Sequence, residues 1–297
     1  MEKLILLFLI LTISPFVIAS QLCKNVDNFI YQSDDLQNAS ITEQKHLIKL
    51  TLQRCPRHAY SHNNLAFLLK NEGNYLEAIE HYRQAVNINS NLSQAWYGLG
   101  EIYDKQAQFS LSLEAYLHVC HQDKSKKKIM ALLENHRYAT TEEGEVLEKE
   151  NLLLLYDKEQ RQEMEQQIFD CGLNAKIQPV IIFRNLIFNP GTAKLKKSAT
   201  QQLNQIAIAL KQIAPTVIKI SSHTDNQPLQ GVSEEVHSYH NLKLSKVRAD
   251  TIKWGLVAHG IPAKHIHIYG YGSTKPQISE NSQEAWAKNR RIEIAVE

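Results

Sequence analysis

Four cysteines, thirteen histidines and a set of scattered carboxylates are the groups in this chain that can do chemistry. The cysteines, Cys23, Cys55, Cys120 and Cys171, are an even set, and their meaning depends on the redox compartment. His118-x-Cys120-His121 has the donor types of a metal site, but on a helix those side chains point different ways, so no metal is expected. His265 and His267 alternate along a strand-like run and are expected to face solvent. No Ser-His-Asp arrangement, paired carboxylates or phosphate-cradling loop stands out, so neither catalysis nor a cofactor is expected. Taken alone, Asp225 reads as a turn or helix cap.

The 297 residues suggest two domains, at about 150 residues per domain. With 43% hydrophobic and 22% charged residues, the chain is composed like an ordinary folded protein. A net charge of +2 and a pI near 8.2 fall short of a nucleic-acid footprint. Lys3, the apolar run Leu4–Ile13, the breaker Pro15 and Val17-Ile18-Ala19 have the layout of a signal peptide over residues 1–19. The alternative is an uncleaved anchor helix over Leu4–Ala19. Leu22 is too large for the residue before a lipidated cysteine, so Cys23 is not expected to carry lipid.

Export favours disulfides, and four cysteines allow three pairings. Cys23 and Cys55 fall at ends of helical stretches that an antiparallel hairpin would bring together, and closing that loop would contribute roughly 3–4 kcal/mol. Cys120–Cys171 would then staple the end of the first half to the segment before the second. Free buried thiols are the other reading of that second pair.

Proline divides the chain. Between Ser20 and Gln178 only Pro56 occurs, whereas six of the eight prolines follow Ile177. The first half can therefore be continuously helical, and the second must contain turns and strands. Within the first half, Leu65, Ala66, Leu69, Gly73, Tyr75, Ala78, Ile79, Tyr82 and Ala85 recur in size and character 34 residues later as Leu99, Gly100, Tyr103, Ala107, Phe109, Ser112, Leu113, Tyr116 and Val119. Together with Trp96-x-x-Leu99-Gly100-x-x-Tyr103, this resembles the tetratricopeptide repeat, with units near 59–92 and 93–126 inside a repeat region of 20–122. The resemblance implies an all-α stack of helical hairpins that takes a protein partner, which the sequence leaves unidentified. Residues 123–175 are expected to be a helical linker: Lys124-Ser125-Lys126-Lys127-Lys128 as a solvated helix start, and Thr141 with Glu142, Glu143 and Glu145 as a capped helix opening. That linker is expected to hold the domains apart or to pack on the last repeat.

From Val180 the pattern becomes an α/β sandwich spanning 176–297. Strands are expected at Val180–Phe183, Leu186–Phe188, Val217–Ile220, His265–Tyr269 and Arg291–Val296, with helices at Leu195–Ile213 and Leu242–Ala258. Phe188-Asn189-Pro190-Gly191-Thr192-Ala193-Lys194-Leu195, His223-Thr224-Asp225, Asn241-x-x-Leu244-Ser245-x-x-Arg248-Ala249, Tyr269-Gly270-Tyr271-Gly272 and Asn289-Arg290-Arg291-Ile292-Glu293 resemble the OmpA-like peptidoglycan-binding domain. The resemblance implies binding of diaminopimelate in uncrosslinked stem peptides. Asp225 would accept from the ammonium and Arg248 would clamp the carboxylate. Thr224, Asn226, Asn241, Leu244 and Ser245 would line or brace the pocket, with Asn289 and Arg290 at its rim. This sequence departs from the family at Ser222, where glycine is usual, at Asn189, where an aspartate is common, and in a long stretch Asn226–His240, expected as a loop.

These features imply an exported, non-enzymatic adaptor of the periplasm, associated with peptidoglycan and the outer membrane, with its two domains acting independently. A fold-back of the Asn226–His240 loop that gates the pocket is the competing expectation. The alternative class is a membrane-anchored, stator-like component of an envelope machine, which the short Leu4–Ala19 segment and its lack of an acidic residue weaken.

Overall fold

The computed structural model describes residues 39–228 and 230–297. The expected signal peptide and Cys23 lie outside the described residues. Among the described residues no helix is long and apolar enough to cross a membrane. The chain divides into two compact units, with the boundary at Leu99/Gly100.

The described part of the first unit is helical: α1 (Ile41–Arg54), α2 (Ala59–Asn71), α3 (Tyr75–Ile88) and the start of α4 (Ser93–Lys105). Ser40 opens α1 with a reciprocal capping box to Glu43, which satisfies two amide donors that would otherwise lack partners. The 34-residue repeat is a code of sizes. Tyr82, fully buried on α3, packs into the space over Gly98 on α4, where any side chain would collide with its ring.

Inside the second compact unit a tyrosine again packs over a glycine, here one that precedes it in the chain, whereas Gly98 follows Tyr82. A β-carbon on Gly100 would lie 2.6 Å from the Tyr116 ring, and the Ser112 hydroxyl donates to the Gly100 carbonyl at 3.0 Å. Tyr116 and Ser112 belong to α5 (Phe109–Leu117), followed by α6 (Asp123–Leu133) and a 3₁₀ turn, Glu134–Ala139. The α6 lysines 124, 126, 127 and 128 are exposed, as a solvated helix start requires. Then come α7 (Lys149–Tyr156) and α8 (Lys158–Asp170). Cys120 and Cys171 form a disulfide that closes a 51-residue separation. Cys120 is thereby unavailable to the His118-x-Cys120-His121 grouping. Cys55 is also disulfide-bonded, and its expected partner Cys23 falls among the residues not described.

Five strands complete this unit: β1 (Thr140–Thr141), β2 (Val180–Phe183), β3 (Ile218–His223), β4 (Ile266–Gly272) and β5 (Arg291–Val296). Their order is β1-β2-β5-β3-β4; β5 runs antiparallel between β2 and β3, and β3 pairs parallel with β4. The helices α9 (Ala199–Ile213) and α10 (Glu234–Ala258) are buried along Leu203, Ile206, Ala207 and Leu210 and along Ala249, Ile252 and Leu256. Their core partners on the strands are Ile181, Phe183, Ile218, Ile220, Ile292 and Ile294, all at most 2% exposed. A short helix α11 (Gln283–Asn289) precedes β5.

Several expectations are corrected. Thr141 does not open a helix: it pairs in parallel with Phe183 in the sheet, and the helix starts only at Lys149. Leu186–Phe188 forms no strand beyond a single bridge, Phe188 to Leu195. The stretch Asn226–His240 is a loop only to Ser233, whose hydroxyl caps α10 from Glu234 onward.

The stretch 123–175 is packed into the second unit by buried amides. Gln202 on α9 accepts from the Leu147 amide (2.9 Å) and from Asn185 Nδ2 (2.7 Å), and donates to the Leu147 carbonyl (3.1 Å). Asn185 also donates to the Glu145 carbonyl and accepts from the Thr141 hydroxyl. Gln108 donates to the Val146 carbonyl (2.8 Å) and accepts from the Glu148 amide and from Asn151, while Asn151 accepts from the Leu111 amide. Tyr156 is wholly buried and donates to the Ile294 carbonyl of β5 at 3.0 Å.

Candidate functional site

The site forms where β3 ends. Its register carries Ser221, Ser222 and His223 against β5 and β4, and the Thr224 amide then donates to the Gly272 carbonyl at 2.9 Å. That bond fixes where the chain leaves the sheet. Asp225 follows, and its Oδ1 accepts from the Gln227 amide at 3.0 Å, an Asx turn that locks the carboxylate's orientation. Its carbonyl accepts from Asn241 Nδ2 at 3.1 Å, tying it to α10. The cap reading of Asp225 is therefore correct locally and leaves Oδ2 available. Arg290 Nη1 takes that oxygen at 2.8 Å.

Helix α10 lies directly on β4. A β-carbon on Gly270 would collide with the Lys246 backbone, and one on Gly272, whose φ is +54°, would lie 2.8 Å from the Leu242 amide nitrogen. Only glycine permits this approach. It brings Ser245 near enough that its buried hydroxyl accepts from the Gly272 amide at 2.8 Å and donates to the Leu242 carbonyl at 2.8 Å. One turn on, Arg248 is half-buried, with its Nε on the Thr192 carbonyl at 3.0 Å and its guanidinium over the Phe188 ring at 5.0 Å. Its two terminal nitrogens have no hydrogen-bond partner among the described residues. Burial pulls the Arg248 guanidinium below its usual value, Asp225 opposes this, and Arg290 adds to it. The three charges thus share one field.

The expected residues separate into groups. Asp225, Thr224, Asn241, Ser245 and Arg248 lie at the end of β3 and on α10, and Arg290, not Arg248, is the side chain paired with Asp225. Leu244 is half-buried and Asn226 is exposed. Asn289 is 1% exposed and turned inward: it accepts from the Gln277 and Ile278 amides and donates to the Ile278 carbonyl, bracing that loop. Thr224 is 5% exposed, yet its hydroxyl has no protein partner among the described residues.

A second layer escaped the sequence reading. His223 stacks on Tyr271 with centroids 5.2 Å apart, and its Nε2 stands 3.6 Å from Glu293. Arg291 donates to Glu293 at 2.8 Å and to the carbonyls of Asn289 and Lys275. Burial would raise the Glu293 carboxyl, but His223 and Arg291 outweigh it and hold the group at about 2. Burial likewise lowers Arg291, against the pull of Glu293. The alternation of β5, with Arg291 and Glu293 on one face and His223 facing Arg291 in register, is the signal that could have found this cluster.

Residues 187–290 match the OmpA family and residues 69–106 match a TPR repeat. The probable lipoprotein YiaD of Escherichia coli (strain K12) is 31% identical over 38% of this chain and 48% of the relative. The peptidoglycan-binding protein ArfA of Mycobacterium tuberculosis is 34% identical over 37% of this chain and 32% of the relative. Motility protein B of Bacillus subtilis is 30% identical over 53% of this chain and 58% of the relative. The chain therefore spans between a third and three fifths of these relatives. With the site's motifs in place at the end of β3 and on α10, the chain carries an OmpA-family domain preceded by a TPR repeat.

Proposed function

We propose that this chain is a non-enzymatic tether of the cell envelope, which holds peptidoglycan through diaminopimelate and a protein partner through its TPR region. The carrying observation is Arg248, half-buried, with both terminal nitrogens unengaged, in the field of a carboxylate fixed by its own turn. The free end of diaminopimelate presents an ammonium and a carboxylate on one carbon, and a single carboxylate and guanidinium match that pair. Asp225 retains lone pairs beside those used by Gln227 and Arg290, and takes the ammonium. Arg248 grips the carboxylate as a fork. The unengaged Thr224 hydroxyl reaches the same ligand, while Asn241 and Ser245 hold the two charged groups in place. The similarity to a relative named for peptidoglycan binding supports the reading, and the relatives named as lipoproteins and outer-membrane proteins support a periplasmic location.

The test compares muropeptides that differ at one position. A stem peptide with lysine in place of diaminopimelate keeps the ammonium and lacks the carboxylate. The full chain should bind the diaminopimelate form at least tenfold more tightly, since a charge-assisted bond contributes about 1.5–3 kcal/mol. Asp225→Asn and Arg248→Ala should abolish pelleting with sacculi while the melting temperature stays near wild type. Equal binding of both muropeptides, or wild-type pelleting by both variants, overturns the pocket.

The similarity to motility protein B favours a second reading, an anchored component of an envelope machine. The mass of the mature N-terminus separates the two readings, because the tether loses residues 1–19 and the anchored form keeps them.

A further inference from the structure

Helix α10 buries one face, through Asn241, Ser245, Ala249, Ile252 and Leu256, and turns another outward. At 100° per residue, Val236, Tyr239, Lys243, Val247, Asp250 and Trp254 fall in one stripe about five turns, or roughly 27 Å, long. Its large members are strongly exposed: Tyr239 at 64%, Trp254 at 57%, Val247 at 48% and Val236 at 47%. Neither Lys243 nor Asp250 makes an ion pair or hydrogen bond among the described residues. They stand seven residues apart, too far to pair with each other along the helix. Lys246, which could reach Asp250, lies with its backbone against Gly270 of β4.

Four of the six residues in this stripe are arranged symmetrically. About a centre between Lys246 and Val247, Lys243 mirrors Asp250 and Tyr239 mirrors Trp254, while Val247 lies at the centre. A helix with such a stripe is complementary to its own reverse. We propose that α10 pairs antiparallel with α10 of a second copy of this chain, Lys243 of each copy facing Asp250 of the other and Tyr239 facing Trp254. A parallel pairing would place lysine beside lysine and aspartate beside aspartate. An unrelated partner would have no reason to require opposite charges at mirror positions. Arg248, Asn241 and Ser245 lie on a different face of the helix, so pairing leaves the candidate pocket open in both copies.

One stripe of this length lies at the small end of specific interfaces, so the dimer is concentration-dependent. Sedimentation equilibrium of the full mature chain should show the mean mass rising from one chain towards two between about 1 and 200 µM. Lys243→Asp and Asp250→Lys should each weaken association at least tenfold, because each replaces two attractions by two repulsions. The double variant, Lys243→Asp with Asp250→Lys, should recover association to within about threefold of wild type. Both positions are on the outer face of a helix, and circular dichroism of each variant controls for folding. A chain that stays monomeric at 200 µM overturns the proposal. So does a dimer that the single variants leave intact, or one that the double variant fails to restore.

Discussion

The second compact unit contains two polar clusters built to opposite rules. Along the contact of α7 and α9, Gln108, Asn151, Asn185 and Gln202 are almost wholly buried, and their amides are spent on backbone groups and on one another. At the end of β3 and on α10, Asp225 and Arg248 are half-buried, and Arg248 and Thr224 keep bonding capacity that no described residue uses. Buried polar groups are normally satisfied, because an unpaired one costs its whole desolvation penalty. The first cluster obeys that rule, since each of its four side-chain amides has a protein partner on both its nitrogen and its oxygen. The second breaks it, and a polar group held rigid without a partner is what a binding site requires. Polarity alone does not distinguish framework from site, and since Ser125 and Gln167 also bury an unpartnered oxygen, it is spare valence beside a half-buried charge that marks the site.

The largest effect that tests this contrast is on the framework side. Gln202→Ala leaves the Leu147 amide, the Leu147 carbonyl and one Asn185 donor bond without a partner in a closed interior. At about 1–3 kcal/mol for each stranded group, the loss should be about 4 kcal/mol, read as a lower urea midpoint. Binding to sacculi per folded molecule should not change. A loss below 1 kcal/mol would mean that the amides are dispensable and the contrast fails.

The Glu293 cluster next to the pocket gives a smaller, pH-dependent effect. Its carboxyl is held at about 2 in the fold, below its usual 4.5. Since the folded value is the depressed one, the stabilisation is complete above pH 4.5 and is lost as the pH falls towards 2. Up to about 3 kcal/mol should disappear over that window, and Glu293→Gln should remove the same pH dependence. An unchanged acid limb in the variant would show that Glu293 belongs to neither cluster energetically.

What the sequence made legible follows from how each feature is encoded. Tyr82 and Tyr116 are large residues and Ala66 and Gly100 small ones at the same spacing of 34, so the repeat is readable without coordinates. The buried face of α10 and the His223-Thr224-Asp225 and Arg248 motifs are likewise local patterns. The amide cluster is not, because Gln108 and Gln202 look like surface residues until the fold places backbone groups 38 and 55 residues away beside them. Thr140–Thr141 is too short to alternate, and its partner strand lies some forty residues on. The pairing of Asp225 with Arg290 spans 65 residues and could not be chosen over Arg248 by spacing.

The smallest expected effect is also the sharpest, because stability and binding should move in opposite directions. The Thr224 amide is committed to Gly272, so the residue cannot turn away, while its buried hydroxyl meets no protein partner among the described residues. Thr224→Val keeps the branched shape and removes the stranded group. If the hydroxyl is held for a ligand, the free protein should gain about 1 kcal/mol, because a desolvated donor no longer goes unpaired. Calorimetry should record that gain as a melting temperature a few degrees higher. Muropeptide affinity should fall about tenfold in the same variant, since the bond that justified burying the hydroxyl is now missing. A framework hydroxyl behaves differently: its loss lowers stability and leaves affinity unchanged. A lower melting temperature with wild-type binding would therefore move Thr224 to the framework side, and leave Asp225 and Arg248 as the whole of the recognition surface.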